Sequence, residues 1–386
     1  MTPSEKYVSE LCKKSFLPFW SYPSPLGKNG KELCDVLIIC GNDIIIISIK
    51  DIQVSDHSDH SVQYNRWHSK AIDASVKQIY GAERFLENIN EITLNDRVTK
   101  IRLPEKKDRA IYRIAVAFGS KKDFPLDTGD FGNGYVHVFD EDSTFTVINE
   151  LDTFPDFINY LKAKEEFTKG KIVSVPKEID FLALYIRTSL EFDYTPDTII
   201  IDEGLWDEYL KSNEYAEWQK DIQPSYIWDE IITTLYDLHI KGKKDKDKHS
   251  ELEAATRAIN LEPRINRREL GIVLEDMFKR NIRSRMLKEQ PYTNHTYVFL
   301  RADEKNWESK ENELQLRCMI AKKENPNVSK IIGLTFGTDK DGNDMFDLAY
   351  FDLPELNEEM KRRIEIVQKE FGYFTNSQIS RSKDMR

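Results

Sequence analysis

The sequence predicts an α/β protein in three parts: a mixed sheet flanked by helices over residues 1–170, a mainly helical stretch over 171–290, and a small α/β domain over 291–386. Three observations carry that reading. Two very apolar runs meet at a Gly-Asn-Asp bend in ELCDVLIICGNDIIIISIKD (32–51), a hairpin pattern with helical periodicity on either side of it. From about residue 177 the strand-like runs give way to successive amphipathic segments, and after 290 strands and helices alternate again. A chain of 386 residues also exceeds the size at which one core usually stays single.

Residues 3–14 read as a helix, with Thr2 or Ser4 as cap and Tyr7, Val8 and Leu11 on one face. The aromatic SFLPFWSYPSPLGKNGK reads as an edge strand and a loop, and the hairpin fills 33–50. If its turn is Gly41-Asn42, Asp35 stands opposite Ser48; if it is Asn42-Asp43, Asp35 stands opposite Lys50. Either register gathers Asp35, Ser48 and Lys50 on one face, because side chains alternate along a strand. The polar DIQVSDHSDHSVQ reads as a loop whose His and Asp residues lack the order of a metal site. A helix follows in WHSKAIDASVKQIYGAERFLENI, with Trp67, Ala71, Ser75, Gln78, Ala82 and Phe85 on one stripe. Strands are expected at 111–119, at 134–140 with His137 as a sheet residue, and at FTVINE, before a helix in FPDFINYLKAKEEF.

The middle helices are FLALYIRTSL, EGLWDEYLKS, PSYIWDEIITTLYDLHIKG and RRELGIVLEDMFKRNIRSRML, with KGKKDKDKHSE as a solvated loop. The last part reads as strand TYVFLRA, a helix around NELQLRCMIAKKE, strands KIIGLTFG and FDLAYFD, and helix NEEMKRRIEIVQKEFG. DKDGND between those two strands has its glycine misplaced for a calcium loop and is read as a hairpin turn.

Composition narrows the function classes. A net charge of −11 disfavours a protein that coats nucleic acid along its whole surface, while leaving room for a local basic groove. The four cysteines lack C-x-x-C spacing, so neither a zinc site nor a disulfide framework is expected, only reduced, buried thiols. No apolar run reaches the roughly 18–20 residues that span a bilayer, and MTPSEKYVSELCKKSF lacks a signal-peptide core. The expectation is a cytoplasmic chain with no membrane partner. Walker A, dinucleotide, G-x-S-x-G and H-E-x-x-H patterns are all missing from the sequence.

An acid and a lysine gathered at the rim of an apolar sheet form either an ion pair, worth about 0–1 kcal/mol when exposed, or the start of a metal-assisted phosphodiester site. Helix, strand, Asp at the head of a second strand, hairpin, Lys near the end of the third and then a helix, over about residues 5–120, resembles the PD-(D/E)XK nuclease superfamily. The resemblance implies a restriction-endonuclease-like domain in which Asp35 binds Mg2+ (or Mn2+), Ile49 lends its backbone carbonyl and Lys50 is the catalytic lysine. Ser48 stands where the triplet has an acid, so the resemblance implies a glutamate recruited from elsewhere. Glu10 on the first helix ranks ahead of Glu32, which faces the wrong way unless a bulge intervenes, and ahead of Glu83. Gln78 resembles the glutamine that several subgroups place beside the metal; its plain alternative is an amide bonded to neighbouring backbone.

The implied activity is a Mg2+-dependent endonuclease acting on DNA or RNA. Its rivals are a nuclease fold that has lost catalysis and serves as a binding or assembly module, which Ser48 favours, and a purely structural hairpin in an unrelated fold. From WSYP through ELDTFPDFINYLKAKE the chain also resembles bacterial proteins of mobile-element and phage-defence settings. Within 257–289, nine Arg or Lys against five acids make a basic segment. Its Arg264, Arg267, Arg268, Arg283 and Arg285 are candidate phosphate contacts, or else a solvated face bridged to acidic neighbours. The linked domains would recognise nucleic acid, a protein partner or a second copy of the chain.

Overall fold

The run Ile44-Ile45-Ile46-Ile47 is apolar on both faces of any strand it forms, which suits a strand interior to a sheet covered on both sides. The computed structural model describes residues 1–54, 56–121, 124–188, 197–241, 246–303, 306–353 and 355–375, and divides the chain into two units, Met1–Trp218 and Gln219–Arg386.

In the first unit, α1 (Pro3–Phe16) begins at Thr2, which forms a capping box with Glu5. β1 (Ser21–Pro23), β2 (Val36–Cys40) and β3 (Asp43–Asp51) follow. α2 (His60–His68) runs through a π-helical turn at Ser69–Asp73 into α3 (Ala74–Leu86). It starts earlier than the sequence predicts, because Asp59 caps it by accepting from the Ser61 and Val62 amides. β4 (Glu91–Thr93) and β5 (Lys100–Arg102) make a small antiparallel hairpin, and β6 (Ala110–Phe118), β7 (Gly129–Asp130) and β8 (Tyr135–Phe139) complete the main sheet. Its order is β1-β2-β3-β6-β8-β7, with β3, β6 and β8 parallel and the other neighbours antiparallel. The central place of β3 explains its buried isoleucines on both faces.

One face of the sheet, with Leu37, Ile39, Ile44, Ile46, Ala115 and Val138, packs under Trp67, Ala71, Ile79 and Ala82 of the long helix. Each leucine, isoleucine or valine among them contributes about 1.5–3 kcal/mol on full burial. α1 and α4 (Glu141–Glu150) pack against the other face. FTVINE therefore lies in a helix, against expectation: Asp140 caps it, Glu141 and Asp142 favour its first turn, and these outweigh the strand preference of Thr146, Val147 and Ile148. After α5 (Phe154–Thr168), the parallel pair β9 (Ile172–Ser174) and β10 (Thr198–Ile200) flanks α6 (Glu178–Thr188), and α7 (Leu205–Leu210) and α8 (Asn213–Asp221) follow.

The second unit holds α9 (Tyr226–Lys241), α10 (Lys246–Asn260) and α11 (Arg264–Lys279), then β11 (Ser284–Met286), β12 (His295–Arg301), α12 (Lys310–Glu324), β13 (Lys330–Thr338), β14 (Asp344–Asp352) and α13 (Glu358–Phe371). Its sheet runs β11-β12-β13-β14, and Leu314, Cys318 and Ala321 of α12 meet Val298, Leu300 and Ile331 across one face. The helical middle is thus no domain of its own. The sequence divisions at 170 and 290 give way to one at 218, since α9 to α11 fall within the unit that holds the second sheet. The predicted helix over RRELGIVLEDMFKRNIRSRML stops at Lys279, and Ser284–Met286 pairs with β12 instead. Of the charge run, 242–245 lie outside the described residues, as does Ser55 of SDHSDH, and the chain is helical from Lys246. DKDGND is the hairpin turn between β13 and β14, as its glycine placement implied. Among the described residues no helix is long and apolar enough to cross a membrane.

Candidate functional site

Cys40 pairs with Asp43, so the hairpin turn is Gly41-Asn42, with Gly41 in the left-handed region at φ 62°. That is one of the two expected turns; the ladder ends at Val36–Ile47, and Asp35, just outside it, donates its amide to the Ile47 carbonyl at 3.2 Å. Pro23 and Leu26 lie three positions apart, whereas their partners, Val36 and Glu32, lie four apart. The extra residue is a β-bulge, which bends the strand and resets its alternation. Ser24, opposite the bulge, takes φ 47° and donates its amide to the Asp35 carbonyl at 2.9 Å.

The bulge draws the chain before β2 aside, so among the described residues the edge of β3 at Ile49 that faces away from β6 has no strand partner. The Asp35 carboxylate takes the partner's place, accepting from the Ile49 amide at 2.5 Å. The Ile49 carbonyl, on the same edge, accepts from Lys50 Nζ at 3.1 Å. That ammonium also donates to Gln78 Oε1 at 2.8 Å and stands 3.6 Å from Asp35 Oδ2. Ser48 Oγ donates to the same Gln78 oxygen at 2.9 Å. Asp35, Ser48, Ile49, Lys50 and Gln78, all named from sequence, thus meet in one network. Asp35 and Ser48 are buried, while Lys50 keeps 28% of its side chain exposed at the rim. Gln78 bonds side chains here, and not the backbone group of its plainer reading.

Of the three acids considered, Glu32 is the one beside Asp35. Partial burial first, then the Asp35 charge and the hydrogen bond shared between the two carboxyls, raise the Glu32 pKa above the ordinary carboxylate value. Glu5 adds to that rise, and the Ser24 hydroxyl, donating to Glu32, opposes it. Glu10, ranked first from sequence, is a correction: it sits on the outward face of α1, 61% exposed and paired with Lys13 at 3.0 Å. The buried face of α1 carries Ser4, Val8, Leu11, Cys12 and Ser15, and at 100° per residue it passes through position 5, not 10. Glu5 is the first-helix acid near the site. Glu83 forms a two-pronged pair with Arg113.

The five arginines also find partners within the protein. Arg267 is fully buried, with its guanidinium on Asp229 at 2.5 Å and on the Glu262 and Asn260 carbonyls. Arg264 bonds Asp229 at 2.7 Å and stacks on Tyr226, and Arg268 bonds Asp221 and Glu269. Arg283 meets Glu313 at 2.6 Å, and Arg285 meets Asp276. The reading as salt bridges to acidic neighbours fits all five better than phosphate contact. All four cysteines are buried thiols outside any disulfide. His137 lies buried in β8, where desolvation, then Lys164 and Arg113, push its pKa well below the usual imidazole value.

Among the described residues no three His, Cys, Asp or Glu side chains are arranged as a metal site. Mg2+, however, is commonly held by one or two carboxylates together with substrate phosphates and water. Asp35 and Glu32 are the two neighbouring carboxylates that could hold such an ion here. No protein-family model, curated protein or solved structure matches the chain.

Proposed function

We propose that the first unit is a metal-dependent phosphodiesterase acting on nucleic acid, on a restriction-endonuclease-like scaffold. The observation that carries this reading is the convergence of Asp35, Lys50 and Gln78 at the bulged rim of an otherwise apolar sheet, with Glu32 as a second acid. Asp35 and Glu32 would hold Mg2+ or Mn2+, with the Ile49 carbonyl adjoining them. Bound there, such an ion lowers the pKa of water and offsets charge on a phosphoryl oxygen. Lys50 orients the attacking water and meets the negative charge that grows on the phosphate. Gln78 fixes the ammonium, and Ser48 fixes the Gln78 amide by donating to the same oxygen. Ser48 is on this account a positioning residue and no metal ligand, since its hydroxyl brings no charge.

One observation favours an inactive binding module: Ser48 occupies the place of an expected acid, leaving Glu32 to supply the second carboxylate from outside the strand. Cleavage of plasmid, single-stranded DNA and RNA with Mg2+ or Mn2+ separates the two readings. The intact chain should cut, and Asp35→Ala and Lys50→Ala should each lose about 10²-fold or more in rate. Equal rates for all three proteins would remove the hydrolase, and no cutting by any would leave the binding module.

A further inference from the structure

Beside the bulge lies an open groove of about 290 Å3, lined by the apolar side chains of Leu26, Phe85 and Ile89 and by Arg97. Leu26 bridges Glu32 on one side and Thr93 on the other. Neighbouring strands lie about 4.8 Å apart, so the groove begins at Leu26, about 5 Å from the Glu32 backbone, and reaches Thr93 about 10 Å away, a span of up to roughly three stacked nucleotides.

Its charge is distinctive. Arg97 sits at the tip of the β4–β5 hairpin, in a turn closed by its amide on the Leu94 carbonyl at 3.0 Å and by the Asp96 carboxylate on the Val98 and Thr99 amides. Its φ of 63° is one that glycine or asparagine adopts more cheaply. A Cβ on Gly30 would stand 3.5 Å from Arg97 Nη1, which places the guanidinium against the Gly27–Lys31 loop. Among the described residues, Arg97, Lys28 and Lys31 have neither a carboxylate nor a hydrogen-bonding partner for their side chains, in a chain of net charge −11. Glu91, also on the groove, is already paired with Lys100. Apolar side chains beside Arg97, with the unpaired Lys28 and Lys31 exposed on the loop whose Gly27 and Gly30 edge the groove, are complementary to a flat base joined to phosphates.

We propose that this groove is a subsite for single-stranded nucleic acid, seating one unpaired base on Leu26, Phe85 and Ile89 while Arg97, Lys28 and Lys31 contact flanking phosphates. A duplex keeps its base faces stacked and offers no such ring. The inference rests on the phosphodiesterase reading for its purpose, since the bound strand would lead toward Asp35 and Glu32.

The test is fluorescence anisotropy with the full chain in EDTA, so that binding is read without cleavage, using a labelled DNA or RNA single strand of about 12 nucleotides and the matching duplex. The intact chain should prefer the single strand at least about tenfold. A Lys28→Gln, Lys31→Gln, Arg97→Gln triple variant with an unchanged melting temperature should lose at least about tenfold in single-strand affinity. Its salt slope should fall by about 0.7 for each phosphate no longer neutralised. A Lys361→Gln, Arg362→Gln, Arg363→Gln variant controls for net charge. Equal loss in both triples, unchanged binding in the first, duplex bound as tightly as single strand, or no binding by the intact chain would each overturn the subsite. Subsite-dependent binding without Asp35-dependent cleavage would leave the subsite and remove the hydrolase. Asp35-dependent cleavage with binding unchanged in the groove triple would do the reverse.

Discussion

Glu32 and Asp35 stand three positions apart in sequence and are close enough in space for the charge of one to raise the pKa of the other. Because the Glu32 pKa is raised in the folded protein, the stability it contributes is complete below the ordinary carboxylate pKa and is lost as pH rises through the raised value. Above that value the two carboxylates repel. Glu32→Gln should therefore raise the melting temperature at pH 8 by about 1 °C, the scale of an exposed charge pair in a chain this size, and change nothing at pH 4. Millimolar Mg2+ or Mn2+ should raise the melting temperature of the intact chain and do so less for Glu32→Gln, because an ion that binds only the folded state stabilises it. Calorimetry at both pH values, with and without the ion, reads both effects. An ion response that survives Glu32→Gln in full would take Glu32 out of the site. Asp35, Lys50 and Gln78 were legible from alternation and helical spacing; Glu32 was not, because a simple count of residues along a strand puts it on the wrong face.

At the scale of elements, the bulge and α11 show how context redirects side chains. One extra residue between Glu32 and Val36 turns an outward acid toward the Asp35 side and frees the Ile49 edge for a carboxylate. Along α11 the arginine cluster looked basic because its partners, Asp229 and Asp221, lie more than 30 residues earlier in the chain. Arg267→Ala should cost about 3–5 kcal/mol, since it leaves Asp229 and two buried carbonyls short of a partner. It should leave nucleic-acid affinity of the remaining folded protein unchanged. Urea unfolding and anisotropy measure the two; unchanged stability with weakened binding would return α11 to the role of a phosphate contact. The helix over FTVINE teaches the same point from the other side, for a cap at Asp140 outweighed three β-branched residues.

For the whole molecule, each unit carries its own sheet and its own core. Met1–Trp218 produced alone should accordingly fold cooperatively, with a sharp thermal transition and a native near-ultraviolet signal; a broad, molten transition would show that its core depends on the rest of the chain. Local pattern determined much of this protein. The isoleucine run fixed a hairpin, alternation put Asp35, Ser48 and Lys50 on one face, and the Trp67-to-Phe85 stripe set a helix above them, because these features depend on neighbours a few residues away. The tertiary structure alone decided which acid lies beside Asp35, the partners of the arginines, the division at 218 and the groove beside Arg97. Each of those depends on pairings across tens of residues, where a one-residue bulge or a distant carboxylate changes the meaning of a side chain without changing its neighbours in sequence.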